Sequence, residues 1–157
     1  DFLKIETDKK NIEIVKYLSE NKIRVVSHIG VTPQKFSDFK KIKSVGKNTS
    51  DAKKLLSLAS ELERAGSKFI VLECINETVA KKITNILSIP TIGIGSSKFC
   101  DGQVLVIDDI LNFNSNTKKP KFIKNFTNVE KSISKAVNIF VKSVKNKKFP
   151  LKKHSYR

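Results

Sequence analysis

The sequence predicts an α/β fold built on a parallel sheet. Short apolar runs rich in β-branched residues recur along the chain, and amphipathic helical stretches separate them. The runs are apolar throughout rather than alternating, as in strands covered on both faces. Parallel pairing through right-handed crossovers joins such units. Five of them without a dinucleotide fingerprint leave a barrel or an open sheet. Gly93-Ile94-Gly95 lacks the third glycine and the following helix of a phosphate-binding loop. A closed eight-stranded barrel takes about 250 residues, so 157 residues would supply about five of its β/α units.

The elements follow in order. Leu3, Ile5 and Glu6 end a short first strand, and Asp8 can cap a helix running to about Glu20, with Ile12, Val15 and Leu18 on one face. Residues 23–29 form a β-branched run and hence a buried strand. A Lys-rich loop spans 30–48. Thr49 and Ser50 start a helix whose stripe is Leu55, Leu56, Ala59, Leu62 and Ala65, and Gly66 stops it. Residues 69–72 are the third strand. Asn76 caps a helix over 77–87, and Pro90 introduces a strand over 91–95. Residues 103–107 read as the fifth strand, and a polar stretch, 112–121, precedes a last helix over about 129–145. The whole chain reads as a single domain, with a basic tail over about 142–157.

Charge has two readings. Lys and Arg total 31 against 15 Asp and Glu, a formal charge of +16. An acidic partner such as nucleic acid would need those charges clustered on one face. All but three of the basic residues are Lys, scattered from Lys4 to Lys153. Nucleic-acid readers favour Arg for bidentate contacts, so a solvated Lys-coated surface is the better reading. No apolar run approaches the ~18 residues of a membrane helix. The two cysteines, Cys74 and Cys100, are too few for a disulfide scaffold and lack zinc spacing, so a reduced, cytoplasmic setting is expected. With no methionine and Asp1 in front, a processed product or a piece of a longer chain is expected.

The informative polar residues stand at strand ends, where parallel α/β sheets bind their ligands. Glu6 ends the first strand. His28 lies within Val25-Val26-Ser27-His28-Ile29, and Glu73 ends Phe69-Ile70-Val71-Leu72. Ser96-Ser97 follow the fourth strand, and Asp108-Asp109 follow the fifth. Any one has a dull explanation, such as a helix cap or a hydrogen-bonded core imidazole. A carboxylate after four apolar residues, as at Glu73, suits a general base. Cys74 and Cys100 read as small buried hydrophobes.

Four segments resemble the ketopantoate hydroxymethyltransferase family. They are Ser27-His28-Ile29-Gly30-Val31-Thr32-Pro33-Gln34, Ile70-Val71-Leu72-Glu73-Cys74, and Ser88-Ile89-Pro90-Thr91-Ile92-Gly93-Ile94-Gly95 with Cys100-Asp101-Gly102-Gln103. The fourth is Lys119-Pro120-Lys121-Phe122 with Phe149-Pro150 and His154-Ser155. The resemblance covers nearly the whole chain in register. It implies a (β/α)8 TIM barrel, of which this chain covers about the last five β/α units. It implies hydroxymethyl transfer from 5,10-methylenetetrahydrofolate to 3-methyl-2-oxobutanoate, giving ketopantoate in pantothenate and coenzyme A synthesis. It implies Mg²⁺ and a homo-oligomer that would be a decamer; from the apolar-run length and the scattered charge, no membrane or nucleic-acid partner is expected. Glu73 would match the catalytic proton acceptor, Lys4 and His28 the substrate pocket, and Glu6 the metal-site carboxylate. Two aspartates and a serine expected from the family's first strands lie outside these residues, so the isolated chain is expected to be inactive. Departures stand at Thr7-Asp8 and Ser96-Ser97, where the family has glycines or Ala-Gly, at Phe39-Lys40-Lys41, and at Asp108, where it has a His. They motivate the alternative of a degenerate, non-catalytic relative acting as a binding or structural subunit.

Overall fold

A computed structural model describes residues 1–32, 44–113, 120–127 and 133–156. Phe39-Lys40-Lys41, Lys119 and the expected start of the last helix at Val129 lie outside them. Five parallel strands form one sheet in chain order: β1 (Leu3–Glu6), β2 (Val25–Gly30), β3 (Phe69–Glu73), β4 (Thr91–Ile94) and β5 (Gly102–Gln103). Helices α1 (Ile12–Glu20), α2 (Thr49–Arg64) and α3 (Glu77–Ile86) connect the first four. Strand order equal to chain order means that every crossover runs the same way. That is the winding of a barrel segment, whereas a doubly wound sheet reverses at a switch point.

Residues alternate between the two faces of each strand. Ile5, Val25, Ile29, Ile70 and Leu72 meet Val15, Ala59, Leu62, Val79 and Ile83 from the helices in one core. Burying each aliphatic side chain there contributes about 1.5–3 kcal/mol. Side-chain caps start the turn that leads into α1 and helices α2 and α3. Asp8 accepts from the Lys10 N–H at 2.8 Å and starts a 3-10 turn (Lys9–Asn11) that runs into α1. Asn48, one residue before the expected start, accepts from the Asp51 N–H at 2.8 Å, and Asn76 accepts from the Thr78 N–H at 3.0 Å. Glu63 on α2 accepts from the Ser88 N–H at 2.7 Å and the Ile89 N–H at 3.1 Å, which fixes the entry to β4.

The fifth strand is shorter than expected. Pairing ends at Gln103, with one further bond from Val104 N–H to the Gly93 carbonyl at 3.0 Å. Residues 104–106 are in neither strand nor helix, and helix α4 (Ile107–Leu111) follows. Among the described residues no strand lies beyond β5, and Leu105, Ile110 and Leu111 are buried in a second cluster with Phe122, Phe126 and Phe149. Asp108 and Asp109 therefore sit in the first turn of α4, where the helix dipole favours carboxylates, and not at a strand end.

Residues 142–145 close helix α5 (Ile133–Lys145), and the chain then packs back on the molecule. Phe149, His154 and Ser155 are buried within the segment expected as a basic tail. Aromatic edge contacts drive this: the Phe149 ring lies 5.6 Å from Phe126 and 5.8 Å from Phe140. The His154 ring lies tilted against Phe149 at 5.5 Å, and its Nδ1 accepts from the Leu151 N–H at 3.2 Å.

Burial, Lys153 and Lys124 together hold the His154 imidazole below its ordinary value of 6.5. As pH falls through 6.5, unfolded chains protonate at this residue before folded ones do. The unfolded state then binds more protons, so stability falls until the folded imidazole also protonates. Thermal unfolding of the full-length protein from pH 7.5 to pH 5.5 is expected to show that loss, and a weaker one in His154→Asn. Equal slopes in the two proteins would remove His154 as its source.

Candidate active site

The face of the sheet away from α1, α2 and α3 carries a groove of about 360 Å³ lined by Phe2, Lys4, Val26, Val71, Glu73, Ile92, Ile94 and Val104. That volume is in the range of small-molecule sites. Its walls are apolar, and its polar groups come from successive strands. Lys4 pairs in register with Val26, and Glu6 with His28, while Glu73 stands opposite Gly30, two residues beyond His28. Lys4, His28 and Glu73 therefore climb diagonally across β1, β2 and β3.

They meet in space. The Lys4 ammonium donates to His28 Nδ1 at 3.2 Å. An ammonium has no lone pair to accept with, so Nδ1 is the unprotonated nitrogen and the ring proton sits on Nε2. Nε2 lies 3.2 Å from Glu73 Oε2. That is ion-pair distance, but the carboxylate is off the N–H direction, and Nε2 has no hydrogen-bond partner among the described residues. His28 is 1% exposed, so this is a buried donor left over. Leaving such a group unmet costs about 1–3 kcal/mol, which marks a place where a ligand atom is useful.

The backbone at Glu73 is held from all sides. Gly30 has φ +110°, and the Val31 N–H donates to the Glu73 carbonyl at 3.0 Å. Cys74 follows with φ +50°, a left-handed conformation uncommon outside glycine. Its N–H donates to the Ile94 carbonyl at 2.9 Å, and its carbonyl accepts from the Val45 N–H at 3.1 Å. Ser96 is fully buried, donates to the Leu72 carbonyl at 2.8 Å and accepts from the Ile75 N–H at 3.0 Å. Thr7 donates through its hydroxyl to the His28 carbonyl at 2.9 Å. The departures at Thr7 and Ser96 thus place hydroxyls that bond the strand ends.

Burial, with the Glu73 charge behind it, pushes the Cys74 thiol up to about 12, so it stays protonated. Burial raises Cys100 as well. Neither is an activated nucleophile. Tyr156, which sequence reasoning did not single out, reaches the same corner through its backbone: its N–H donates to the Gly95 carbonyl at 3.4 Å and its carbonyl accepts from the Glu77 N–H at 2.9 Å. Ser96 and Tyr156 carry no sequence signal for this placement, because their partners lie far off in the chain.

Glu6 is half-buried at the end of β1. Among the described residues no group of three or more His, Cys, Asp and Glu side chains is placed to hold a metal. A lone carboxylate does not satisfy Mg²⁺, which takes six oxygens, so these residues do not by themselves fit the ion. No helix among them is long and apolar enough to cross a membrane.

A parallel, singly wound sheet with a carboxylate, an imidazole and an ammonium converging near its strand ends defines a β/α-barrel protein with a small polar site. The family model for ketopantoate hydroxymethyltransferase matches residues 1–152, and the chain belongs to that family. It is 47% identical over 156 residues to the 3-methyl-2-oxobutanoate hydroxymethyltransferase of Pelagibacter ubique (strain HTCC1062), covering 99% of this chain and 59% of that protein. It is 46% identical over 155 residues to the protein of the same name from Clostridium botulinum (strain 657 / Type Ba4), covering 99% and 56%. The chain thus spans somewhat over half the length of these relatives. The crystal structure of the YdjI aldolase from Escherichia coli K12 aligns with 93% of this chain and 59% of its own, at 16% identity and a TM-score of 0.42.

Proposed function

We propose that the full-length protein transfers a hydroxymethyl group from 5,10-methylenetetrahydrofolate to 3-methyl-2-oxobutanoate, giving ketopantoate for pantothenate synthesis. The observation that carries this reading is the buried Nε2–H of His28 left unmet beside the Glu73 carboxylate. Glu73 takes the C3 proton of the keto acid, and the C–H electron pair moves into a C2–C3 double bond, placing charge on the ketone oxygen. The His28 N–H and the Lys4 ammonium bind the substrate's oxygens and stabilise that charge. The methylene bridge opens with loss of one of its two carbon–nitrogen bonds, C3 attacks the methylene carbon, and water displaces the second folate nitrogen and supplies the hydroxyl, while the proton taken from C3 and one from water go to the two folate nitrogens. Glu6 offers one hard oxygen of the kind Mg²⁺ takes, with the remaining ligands outside the described residues, and no step above depends on the ion. A homo-oligomer in the cytoplasm belongs to the same reading.

The test uses the full-length protein. Loss of the C3 proton of 3-methyl-2-oxobutanoate in D₂O is followed by NMR, with and without Mg²⁺, before any folate is added. Exchange is expected when Mg²⁺ is supplied. Absence of exchange from a folded protein would mark a degenerate relative that kept the barrel and lost the chemistry.

A further inference from the structure

We propose that Ser96 is a positioning residue for Glu73, its buried hydroxyl bridging the main chain on either side of Glu73 and Cys74. The role rests on Glu73 being the base.

A side chain leaves the backbone in a direction set by its residue's φ and ψ. Those two angles follow from the planes of the peptides before and after it. The peptide after Glu73 is fixed through its carbonyl, which accepts from the Val31 N–H at 3.0 Å. The peptide before Glu73 carries the Leu72 carbonyl, which accepts from the Ser96 hydroxyl at 2.8 Å. The same hydroxyl oxygen accepts from the Ile75 N–H at 3.0 Å. One hydroxyl thus spends its proton on the residue before Glu73 and a lone pair on the residue after Cys74. Cys74 lies within that span at φ +50°, a conformation that a non-glycine residue keeps only where its surroundings over-determine it.

Ser96 can hold the span because it is held itself. It is fully buried in the turn after β4. Gly95 precedes it with φ +63°, so close to Phe122 that a Cβ there would come within 2.8 Å of the ring. The Gly95 carbonyl accepts from the Tyr156 N–H at 3.4 Å. Glu73 and Ile94 line the groove, and Ser96, two residues on from Ile94, acts on the base through the backbone. Ser96 is one of the departures from the family pattern, so the bridge belongs to this chain's own sequence. Removing the hydroxyl leaves the Ile75 N–H, on a fully buried residue, without this acceptor. The peptide before Glu73 then gains freedom to turn, and the carboxylate loses its aim. Lys4 and His28 stand on β1 and β2 and keep their own bond. Proton abstraction should therefore slow while keto-acid binding stays.

The test is C3 proton exchange in the full-length protein with Mg²⁺ supplied, over a range of keto-acid concentrations, for Ser96→Ala and Ser67→Ala. Ser67 is also buried, and its hydroxyl is hydrogen-bonded to that of Ser27 at 2.6 Å in the turn before β3. Its loss removes a buried bond at the other end of the strand, with no tie to Glu73. Ser96→Ala is expected to lower kcat about tenfold with KM unchanged, and Ser67→Ala to keep the wild-type kcat. Hydrogen–deuterium exchange, read by mass spectrometry in a peptide containing Ile75, is expected to speed up in Ser96→Ala and not in Ser67→Ala. A Ser96→Ala kcat equal to that of wild type or of Ser67→Ala would overturn the proposal and leave Glu73 as base. A raised KM at unchanged kcat would overturn it too, by moving Ser96 to substrate binding. If wild type shows no C3 exchange, the functional reading fails and the positioning role with it. An Ile75 amide unchanged in Ser96→Ala would overturn the bridge itself, whatever the activity.

Discussion

Glu73→Gln in the full-length protein is expected to lose C3 proton exchange by about 10²–10⁴-fold, the range that a positioned general base contributes. The keto acid is still expected to bind. Gln has the shape of Glu, and its carbonyl oxygen can occupy the place of Oε2, 3.2 Å from His28 Nε2. Lys4 and His28 keep their own bond. What is lost is the ability to take a proton, because a neutral amide is a very weak base. Binding measured by calorimetry beside exchange measured in D₂O separates the two effects. Retained exchange would remove Glu73 from the role of base, and lost binding would mean that the carboxylate's charge organises the pocket.

The first four strands and three helices are legible in the sequence because each is specified locally. Val25, Ile29, Ile70 and Leu72 face the helices through their own periodicity, and Asp8 and Asn76 announce their helices. The fifth unit is not legible in the same way. Val104-Leu105-Val106-Ile107 has the composition of a strand, but a strand needs a neighbour on each side to stay buried. Whether one exists is a property of the whole sheet. Among the described residues β5 has no further neighbour, and of the run only Leu105 is buried, in the cluster around Phe126, while Val104, Val106 and Ile107 are exposed. The same limit applies to the end of the chain, where basic composition suggested a tail and gave no sign that Phe149 and His154 within it are buried.

The candidate site divides along similar lines. Lys4, Glu6, His28 and Glu73 stand out because polar groups at the ends of apolar strands are unusual one at a time and informative together. Their convergence depends on register, which places Gly30 opposite Glu73 and so sets Glu73 two residues above His28. Register is a long-range quantity, invisible to any window on the sequence. Glu6 shares a row with His28, but its contribution depends on oxygens that these residues do not supply. Thr7 and Ser96 show why departures from a family pattern are hard to weigh from sequence. A lost glycine, as at Thr7, reads as lost freedom, whereas the hydroxyls of Thr7 and Ser96 each bond a strand end.

Gly30→Ala is expected to be the most disruptive small substitution in the chain. At φ +110° a Cβ at this position is strained in any surroundings. Here it would also overlap the Glu73 carbonyl oxygen, while coming within 3.1 Å of the carbonyl carbon and 3.0 Å of Ile75 Cγ1. The obstacle is mainly backbone, so no side-chain rotation relieves it. Either β2 or the end of β3 must move, and moving β3 breaks the bond from Val31 to the very peptide that carries Glu73. A loss of about 3 kcal/mol in stability is expected, together with loss of exchange in the fraction that stays folded. Gly102→Ala is the matched control, since its Cβ meets only Ile92 Cγ1 at 3.9 Å, an ordinary contact, with no left-handed backbone to strain. That variant is expected to stay within about 0.5 kcal/mol of wild type. Denaturant unfolding and C3 exchange on both variants decide the matter. A Gly30→Ala protein as stable and as active as Gly102→Ala would mean that the close approach of β2 to the Glu73 carbonyl does not hold in solution. Glu73→Gln should lose exchange with stability intact. Gly30→Ala should lose both, and that difference separates the group that does the chemistry from the backbone that aims it.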